Sequence, residues 1–359
     1  MTETAENILD RFTQPAKLER TLPDGRIQCL ACAHMCKLTE GRRGICKVRF
    51  TQGGKLMAPW GYVAGMQPDP IEKKPFFHVL PGATALTFGM LGCNFHCDNC
   101  QNWFTSQVLR DPNCEPAIGA MRSFEPGMIH SLAKQTNAQL LVSSYNEPFI
   151  TTEWAAVLFD AAREQGMLTA VVSNGYASLQ SLQLLAPRLN AIKIDLKSNS
   201  DLAYRKLGGV LGNVLSCIDN SLALGIWLEV VSLIIPGFND QPDDLYAMAR
   251  LVAERSPDIP WHVTAFVPQY RNKSTPATAP KTLLQAAEIG QEAGLRYVYA
   301  GNLPGQVDPY ENTHCPNCGK VVIERKGFKV RNLQLEKNGI CDCGEVVPGI
   351  WNHPRLQER

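Results

Sequence analysis

Between residues 81 and 300, short apolar runs alternate with longer helix-like segments. The apolar runs are nearly continuous and rich in Val, Ile and Leu, as expected for strands buried on both faces of a parallel sheet. We predict strands at Ala85–Leu91, Gln139–Ser144, Leu168–Ser173, Ala191–Leu196, Ile226–Ile235, Trp261–Val267 and Arg296–Ala300. We predict helices at Pro126–Lys134, Thr152–Gln165, Leu179–Arg188, Val214–Leu224, Asp243–Glu254 and Lys281–Ala293. Six βα units favour an α/β fold, a partial (β/α)6 barrel rather than a closed eight-unit barrel.

The predicted strands end at polar residues or at Gly and Pro. Turns commonly use these residue types, so one polar strand end carries little information. Several such ends are more informative, because the C-terminal strand ends of these barrels hold the reacting groups. The ends are Gly92–Cys93, Tyr145–Pro148, Ser173–Tyr176, Asp195–Lys197, Pro236–Asp240 and Pro268–Tyr270. We therefore expect carboxylate, amide and lysine groups to meet at this edge of the sheet.

Composition and charge exclude several classes of function. The chain of 359 residues carries 35 basic and 34 acidic residues, which gives no electrostatic basis for binding nucleic acid or an anionic membrane. No apolar run reaches the eighteen or so residues that a membrane span needs. Residues 1–17 lack the apolar segment of a secretory signal. Thirteen cysteines in short spacings then indicate metal ligands in a reducing cytoplasm rather than disulfides.

Three cysteines, Cys93, Cys97 and Cys100, follow the first predicted strand with the spacing C-x3-C-x2-C. Short spacers let one loop wrap a compact cluster, and three thiolates leave one iron of a [4Fe–4S] cluster open for another ligand. Three buried cysteines, or a zinc site completed by His96, are the alternatives. The motif resembles the cluster-binding signature of the radical S-adenosylmethionine (SAM) superfamily.

This resemblance implies that SAM binds the open iron and is cleaved to a 5′-deoxyadenosyl radical, which abstracts hydrogen. It also implies a place for SAM at the other strand ends. Glu147 and Pro148 match the superfamily's Gly-Gly-Glu-Pro element, although Tyr145 and Asn146 replace both glycines here. Asn99 stands where the superfamily usually has an aromatic residue against adenine.

Other strand ends resemble elements of the activating enzymes. Residues 173–175 resemble their Thr-Asn-Gly element, and residues 195–197 resemble their Asp-x-Lys element, in which lysine can pair with a carboxylate. Asn239 is expected to border the adenosine side. His262 either faces the barrel interior or is a core histidine. The expected SAM-binding residues are Asn99, Tyr145, Asn146, Glu147, Ser173, Asn174, Asp195, Lys197, Asn239 and His262.

Segments along nearly the whole chain resemble the radical SAM member of the AmmeMemoRadiSam system, which is related to pyruvate formate-lyase activating enzymes. These segments are Cys29–Cys36, Gly44–Arg49, Pro70–Pro75, Gly92–Asn94, Cys100–Asn102, Ser144–Pro148, Ile235–Asp240, Tyr297–Asn302 and Cys315–Gly319. The resemblance implies an activase-like oxidoreductase, an electron donor such as flavodoxin or ferredoxin, and AMMECR1-like and Memo-like partners. Hydrogen abstraction from a small molecule is the alternative. An inactive zinc-bound scaffold is an alternative of another class.

Two further cysteine groups flank the barrel. We predict an N-terminal Cys-rich module at residues 1–80, the barrel at residues 81–300, and a zinc-ribbon-like module at residues 301–359. The C-terminal group has the two-knuckle spacing of a tetrahedral zinc site, which would stabilise a small module. That group consists of Cys315, Cys318, Cys341 and Cys343.

The N-terminal group is more ambiguous. Its four thiols can close around zinc or around an auxiliary iron–sulfur cluster, since both accept four thiolates. The group consists of Cys29, Cys32, Cys36 and Cys46. Cys114 and Cys217 stand alone, and we expect both to be small core residues.

Overall fold

The computed structural model describes residues 4–352. Its N-terminal part contains one short helix and two three-stranded antiparallel sheets, with strand orders β1-β6-β5 and β2-β3-β4. The elements are α1 (Ala5–Asp10), β1 (Thr13–Pro15), β2 (Glu19–Thr21), β3 (Ile27–Cys29), β4 (Lys37–Leu38), β5 (Phe50–Gln52), β6 (Lys55–Pro59) and β7 (Tyr62–Val63). A small apolar core around Leu18, Ile27, Leu38 and Leu56 holds this part together.

The central sheet has eight strands in the order β8-β9-β11-β12-β13-β14-β15-β16. Its strands are β8 (Gly65–Pro70), β9 (Thr84–Gly89), β11 (Leu140–Ser143), β12 (Leu168–Ser173), β13 (Ala191–Asp195), β14 (Trp227–Ile234), β15 (Trp261–Ala265) and β16 (Val298–Gly301), while β10 (Arg122–Ser123) lies outside it. From β9 to β16 every pairing is parallel, whereas β8 pairs antiparallel with β9 and β10 pairs with β7. Because chain order and spatial order agree and the sheet stays open, the predicted partial barrel is confirmed.

Most helices cover the outer face of the barrel, whereas the short first one after β9 lies at the C-terminal strand ends, where Trp103 stacks on Tyr270. They are α2 (Trp103–Ser106), α3 (Met128–Thr136), α4 (Thr152–Glu164), α5 (Leu179–Leu185), α6 (Asp201–Leu207), α7 (Leu211–Ala223), α8 (Pro242–Ala253) and α9 (Pro280–Glu292). Proline at the first position of α8 and α9 costs no hydrogen bond, because that N–H has no partner inside a helix. The sequence prediction missed α6, although Ser200 caps its start and Gly208 ends it in the left-handed conformation.

The N-terminal ends of the strands are closed from inside. A segment that begins with the 3₁₀ helix Ile71–Lys73 packs Ile71, Phe76 and Val79 against inward-facing residues of the barrel. This segment and β8 both precede residue 81, so the predicted boundary there separates two strands that pair with each other. The prolines of β8 hid the strand from sequence analysis, since proline is tolerated only on an edge strand.

The C-terminal part is a three-stranded antiparallel sheet of β17 (Thr313–His314), β18 (Val321–Lys326) and β19 (Lys329–Leu333). It packs against Phe77, Tyr297 and Tyr299 at the base of the barrel. Residues 1–3 and 353–359 of the predicted terminal modules lie outside the described residues. Among residues 4–352, no helix combines the length and the apolar character needed to cross a membrane.

Candidate active site

The loop after β9 carries the three cysteines of the C-x3-C-x2-C motif. Gly92 begins this loop with φ of +95°, and a Cβ there would lie 2.7 Å from the Val48 side chain. Burial raises the pKa of the thiols of Cys93, Cys97 and Cys100, to about 11 for Cys97. A raised pKa means that burial disfavours the charged thiolate. A bound metal offsets this penalty, because a thiol that coordinates a metal loses its proton. The loop is therefore suited to hold a metal cluster rather than free thiolates.

The Glu147 carboxylate connects the ends of β11 and β12. Its Oε1 accepts a hydrogen bond from Ser173 Oγ at 2.8 Å, and its Oε2 accepts one from the backbone N–H of Asn174 at 2.9 Å. Burial raises the pKa of Glu147 to about 7, against the lowering effect of these hydrogen bonds. The carboxylate also acts electrostatically on Cys93. Glu147 is thus a fixed, buried acceptor beside the cysteine loop.

Asn174 links this carboxylate to the cysteine loop. Its Nδ2 donates a hydrogen bond to Asn94 Oδ1 at 2.7 Å and lies 3.8 Å from Cys93 Sγ. Asn94 is fully buried. Sequence analysis gave Asn94 no role, because its position between two cysteines indicates nothing about its contacts.

Asp195 lies between two lysines at the end of β13. Lys197 Nζ lies 2.8 Å from Asp195 Oδ2, and Lys193 Nζ contacts Oδ1. Burial alone would raise the pKa of Asp195, but the two ammonium groups outweigh it and hold this pKa well below its usual range. Lys197 also acts electrostatically on the thiols of Cys97 and Cys100. Sequence analysis missed Lys193, whose place inside a buried strand gave no hint of its partner.

Tyr145 adopts φ of +71°, a conformation that favours glycine. This explains why a glycine-rich element can occupy the same strand end, and it directs the Tyr145 ring toward β8. The Tyr145 hydroxyl donates a hydrogen bond to Asp69 Oδ2 at 3.0 Å. Lys74 Nζ lies 2.6 Å from the same carboxylate oxygen and 3.4 Å from the Tyr145 hydroxyl. Asp69 and Lys74 were missed as site residues because β8 was not predicted.

The cysteine loop and the strand-end groups lie in a segment that is similar to known proteins. Residues 88–252 match the radical SAM superfamily. An uncharacterized protein of Methanocaldococcus jannaschii is 37% identical over 330 residues, which cover 91% of this chain and 96% of that protein. The chain belongs to the radical SAM superfamily. Membership implies a [4Fe–4S] cluster and SAM, and it supports SAM cleavage by radical chemistry.

Similarity to radical SAM enzymes with assigned names is more limited. An isethionate sulfite-lyase activating enzyme of Oleidesulfovibrio alaskensis is 33% identical over 125 residues, 33% of this chain and 40% of that enzyme. A domain of a pyruvate-formate lyase-activating enzyme from Bacteroides vulgatus has a TM-score of 0.37 at 18% identity, covering 45% of this chain and 98% of that domain. A radical SAM methyltransferase from Sphaerobacter thermophilus has a TM-score of 0.47 at 14% identity, covering 81% and 78% of the two chains.

Three other expected SAM-binding residues have amide side chains. Asn146 Oδ1 accepts from the Met90 N–H at 2.9 Å, and Asn239 Nδ2 donates to Lys197 O at 2.9 Å. Both amides make backbone contacts that fix the strand-end loops, and their contact with SAM stays a prediction. Asn99 lies half-buried in the radical SAM cysteine loop.

The structure separates His262 from the polar groups at the C-terminal strand ends. His262 lies near the start of β15, whereas the cysteine loop lies at the opposite ends of the strands. Its Nε2 is 2.7 Å from Glu229 Oε2, and its ring packs on Phe77 and Tyr299. Burial lowers the pKa of His262. This corrects the expected SAM contact and favours the core-histidine alternative.

His262→Ala is therefore expected to affect folding rather than SAM. The substitution leaves the buried Glu229 carboxylate without its ring partner, which costs about 1–3 kcal/mol of unfolding free energy. Chemical denaturation of the variant measures this loss, and SAM titration should give an unchanged Kd. A large loss of SAM affinity with normal stability would contradict the structural role.

The two outer cysteine groups differ in geometry. Sγ–Sγ distances are 3.5 Å for Cys315 and Cys343 and 3.8 Å for Cys318 and Cys341. Zn–S bonds of about 2.3 Å in a tetrahedron require sulfurs about 3.8 Å apart, so this group fits zinc. The N-terminal group, which includes Cys46, packs against the start of the cysteine loop. All thirteen cysteines are free thiols.

Proposed function

We propose that this chain is an oxidoreductase that reductively cleaves SAM at a [4Fe–4S] cluster held by Cys93, Cys97 and Cys100. When bound, the cluster supplies the electron that converts SAM to methionine and a 5′-deoxyadenosyl radical, which abstracts a hydrogen atom. The observation that carries the proposal is the convergence of Glu147 and Lys197 on the cysteine loop of a radical SAM chain.

The strand-end groups take complementary roles in this proposal. Glu147, held by Ser173 and Asn174, binds the methionyl ammonium of SAM. Asp195 and Lys197 form a paired charge that binds the polar groups of SAM. Tyr145 lines the pocket from the β8 side. Because Glu147, Ser173 and Asn174 are buried and all these groups are already hydrogen-bonded, they bind SAM with little reorganisation and help to exclude water from the radical.

Detection of 5′-deoxyadenosine tests this function directly. The full chain is purified and reconstituted under anaerobic conditions, then incubated with dithionite and SAM, and the products are measured by mass spectrometry. We expect 5′-deoxyadenosine and methionine in equal amounts. A chain with a full cluster that yields neither would overturn the proposal and favour the inactive zinc-bound scaffold.

We propose an activase-like target, a glycine in a partner protein, by analogy with the named relatives. Membership of the AmmeMemoRadiSam system, with AMMECR1-like and Memo-like partners, is part of the same proposal, as are flavodoxin or ferredoxin as electron donor and a cytoplasmic location. Coexpression with each partner tests it. Oxygen-dependent cleavage of a partner chain at a glycyl radical is the expected result.

One observation favours a small-molecule target instead. Asp69 lies on the inner face of the barrel with Lys73 and Lys74 within 2.7 Å of its carboxylate. Lys193, on β13, adds a third ammonium group near this interior. Lys73 is half exposed and Lys193 also pairs with Asp195, but the buried Lys74 remains beside Asp69 as a group that suits a small anionic substrate. A new deoxyadenosine-dependent metabolite in the coexpression, with intact partner chains, would select this alternative.

We propose that the C-terminal cysteines bind one zinc ion as a structural site. Cys318→Ala is expected to lower zinc content by about one equivalent per chain, because a structural site needs all four ligands. Cys318 is exposed, so its truncation removes little packing. Zinc analysis with thermal unfolding provides the measurement, and Cys217→Ala is the control. Unchanged zinc in Cys318→Ala would refute this site.

A further inference from the structure

The four N-terminal thiols gather against the radical SAM cysteine loop. Cys29, Cys32 and Cys46 are buried, and Cys36 is half-buried. The hairpin of β3 and β4 brings the first and third together, since the Cys29 N–H donates to Cys36 O at 2.9 Å. A Cβ on Gly92 would lie 3.3 Å from Cys46 O, so this group touches the start of the cysteine loop.

The spacing of these thiols distinguishes zinc from a cluster. Among the described residues, the C-terminal cysteines are the one group of three or more His, Cys, Asp or Glu whose ligand atoms all lie within 4.8 Å of one another. No three of the N-terminal thiols meet this limit, and neither do the three catalytic thiols. A looser arrangement suits a [4Fe–4S] cluster, because each thiolate binds a different iron corner. Zinc requires the closer spacing found at the C-terminal site.

Hydrogen-bond donors point at the N-terminal sulfurs. Arg49 is 1% exposed, and its Nη1 lies 4.0 Å from Cys29 Sγ, while Nη2 pairs with Glu153. The Ile45 N–H lies 3.5 Å from Cys36 Sγ. N–H donors to sulfur stabilise the added electron of a reduced cluster and so tune its potential. Although Glu153 balances the charge of Arg49, the guanidinium still directs an N–H group at the Cys29 sulfur.

Asn94 lies between the two groups of thiols. Its Oδ1 is 3.8 Å from Cys93 Sγ, on the catalytic side. Its Nδ2 is buried without a hydrogen-bond partner among residues 4–352. On the other side, its backbone oxygen lies 3.1 Å from Nε2 of His34, which follows Cys32 in the N-terminal group. A buried donor normally has an acceptor, and a cluster sulfur between the two groups of thiols would supply one.

We propose that the four N-terminal thiols bind a second [4Fe–4S] cluster that passes single electrons to the catalytic cluster. Cysteine caps all four irons, so this cluster has no open position for substrate and serves electron transfer. A low-potential one-electron donor protein, containing flavin or an iron–sulfur centre, reduces it from the 2+ to the 1+ state. Its return to 2+ reduces the catalytic cluster by one electron. This electron transfer, the relay, rests on the proposed function, whereas the presence of the second cluster does not.

Removal of the catalytic ligands isolates the second cluster. The full chain with Cys93→Ala, Cys97→Ala and Cys100→Ala is reconstituted anaerobically, and iron, sulfide and zinc are counted. We expect about four irons and one zinc per chain, against about eight irons and one zinc in the wild type. Dithionite should give the triple variant a reduced-cluster EPR signal. No iron and two zinc ions in this variant would overturn the proposal.

A second variant tests the proposal if the triple variant does not fold. It removes a ligand of the second cluster and keeps the catalytic cysteines. Cys36→Ala, at the half-buried ligand, should lower iron from about eight to about four per chain, whereas Cys217→Ala should keep all eight. The reduced wild type should show EPR broadening from two interacting clusters, which both single-cluster variants lose. Two loaded clusters without such interaction would overturn the relay.

The two proposals fail in different ways. Four irons in the triple variant, together with a wild type that forms no 5′-deoxyadenosine, would refute the proposed function and support the second cluster. A wild type that forms 5′-deoxyadenosine with only about four irons would support the proposed function and refute the second cluster.

Discussion

Cys93→Ala is expected to reduce 5′-deoxyadenosine formation at least about a thousandfold, which corresponds to about 4 kcal/mol of barrier. Two thiolates cannot hold a [4Fe–4S] cluster with one defined open iron, so the electron no longer reaches SAM. Anaerobic reconstitution, iron analysis and product measurement with dithionite and SAM provide the test. We expect iron to fall by about four atoms per chain while the far-UV circular dichroism spectrum is unchanged.

Cys217→Ala is the matched control for this prediction. Cys217 is a fully buried thiol of α7, and its removal deletes one sulfur atom from packed surroundings. It should therefore leave both iron content and product formation unchanged. If Cys93→Ala kept a full cluster and normal SAM cleavage, the assignment of the catalytic cysteines would be wrong.

Glu147→Gln is expected to weaken SAM binding about a hundredfold, equivalent to about 3 kcal/mol. The substitution keeps the size of the side chain but removes the negative charge that faces the SAM ammonium. It also brings an amide donor toward the N–H of Asn174, where the carboxylate now accepts a hydrogen bond. Equilibrium titration of SAM against the anaerobic protein measures the effect. Glu164→Gln, an exposed position on α4, is the control.

The pH dependence of binding distinguishes the charge of Glu147 from its shape. Burial raises the pKa of Glu147 to about 7, so the carboxylate ionises as the pH rises through this value. Only the ionised form attracts an ammonium group. SAM affinity should therefore increase between about pH 6 and pH 8 in the wild type and show no such rise in Glu147→Gln. Equal pH profiles would show that the carboxylate charge does not bind SAM.

Much of the barrel could be predicted because its information is local. The predicted strand at Leu168–Ser173 agrees with β12 at both ends, since a short, mostly apolar run buried on both faces has few alternatives. The spacing of the C-terminal thiols was informative for the same reason, because each knuckle places two metal ligands within a few residues of each other. In contrast, Pro68 and Pro70 obscured β8. Its place in the sheet depends on pairing with β9, which no pattern within β8 specifies.

The candidate site divides in the same way. The motif of Cys93, Cys97 and Cys100 could be found from spacing alone, because one short loop supplies all three ligands. The contact between Glu147 and Asn174 could only be expected, since the two residues lie on different strands. His262 shows the limit of such expectations: the sequence left open whether it faces the barrel interior or is a core histidine, and only its contact with Glu229 favoured the second.

The sequence by itself determined the order of strands and helices, the cysteine motifs and the resemblance to radical SAM enzymes, because each depends on residues close together in the chain. Only the tertiary structure decided which strand ends meet, that Asp69 and Lys74 line the inner face, and that Asn94 separates two groups of thiols. These contacts join residues that are far apart in the chain. Their geometry depends on strand register and on packing of the N-terminal part against the barrel, which no local pattern of residues specifies.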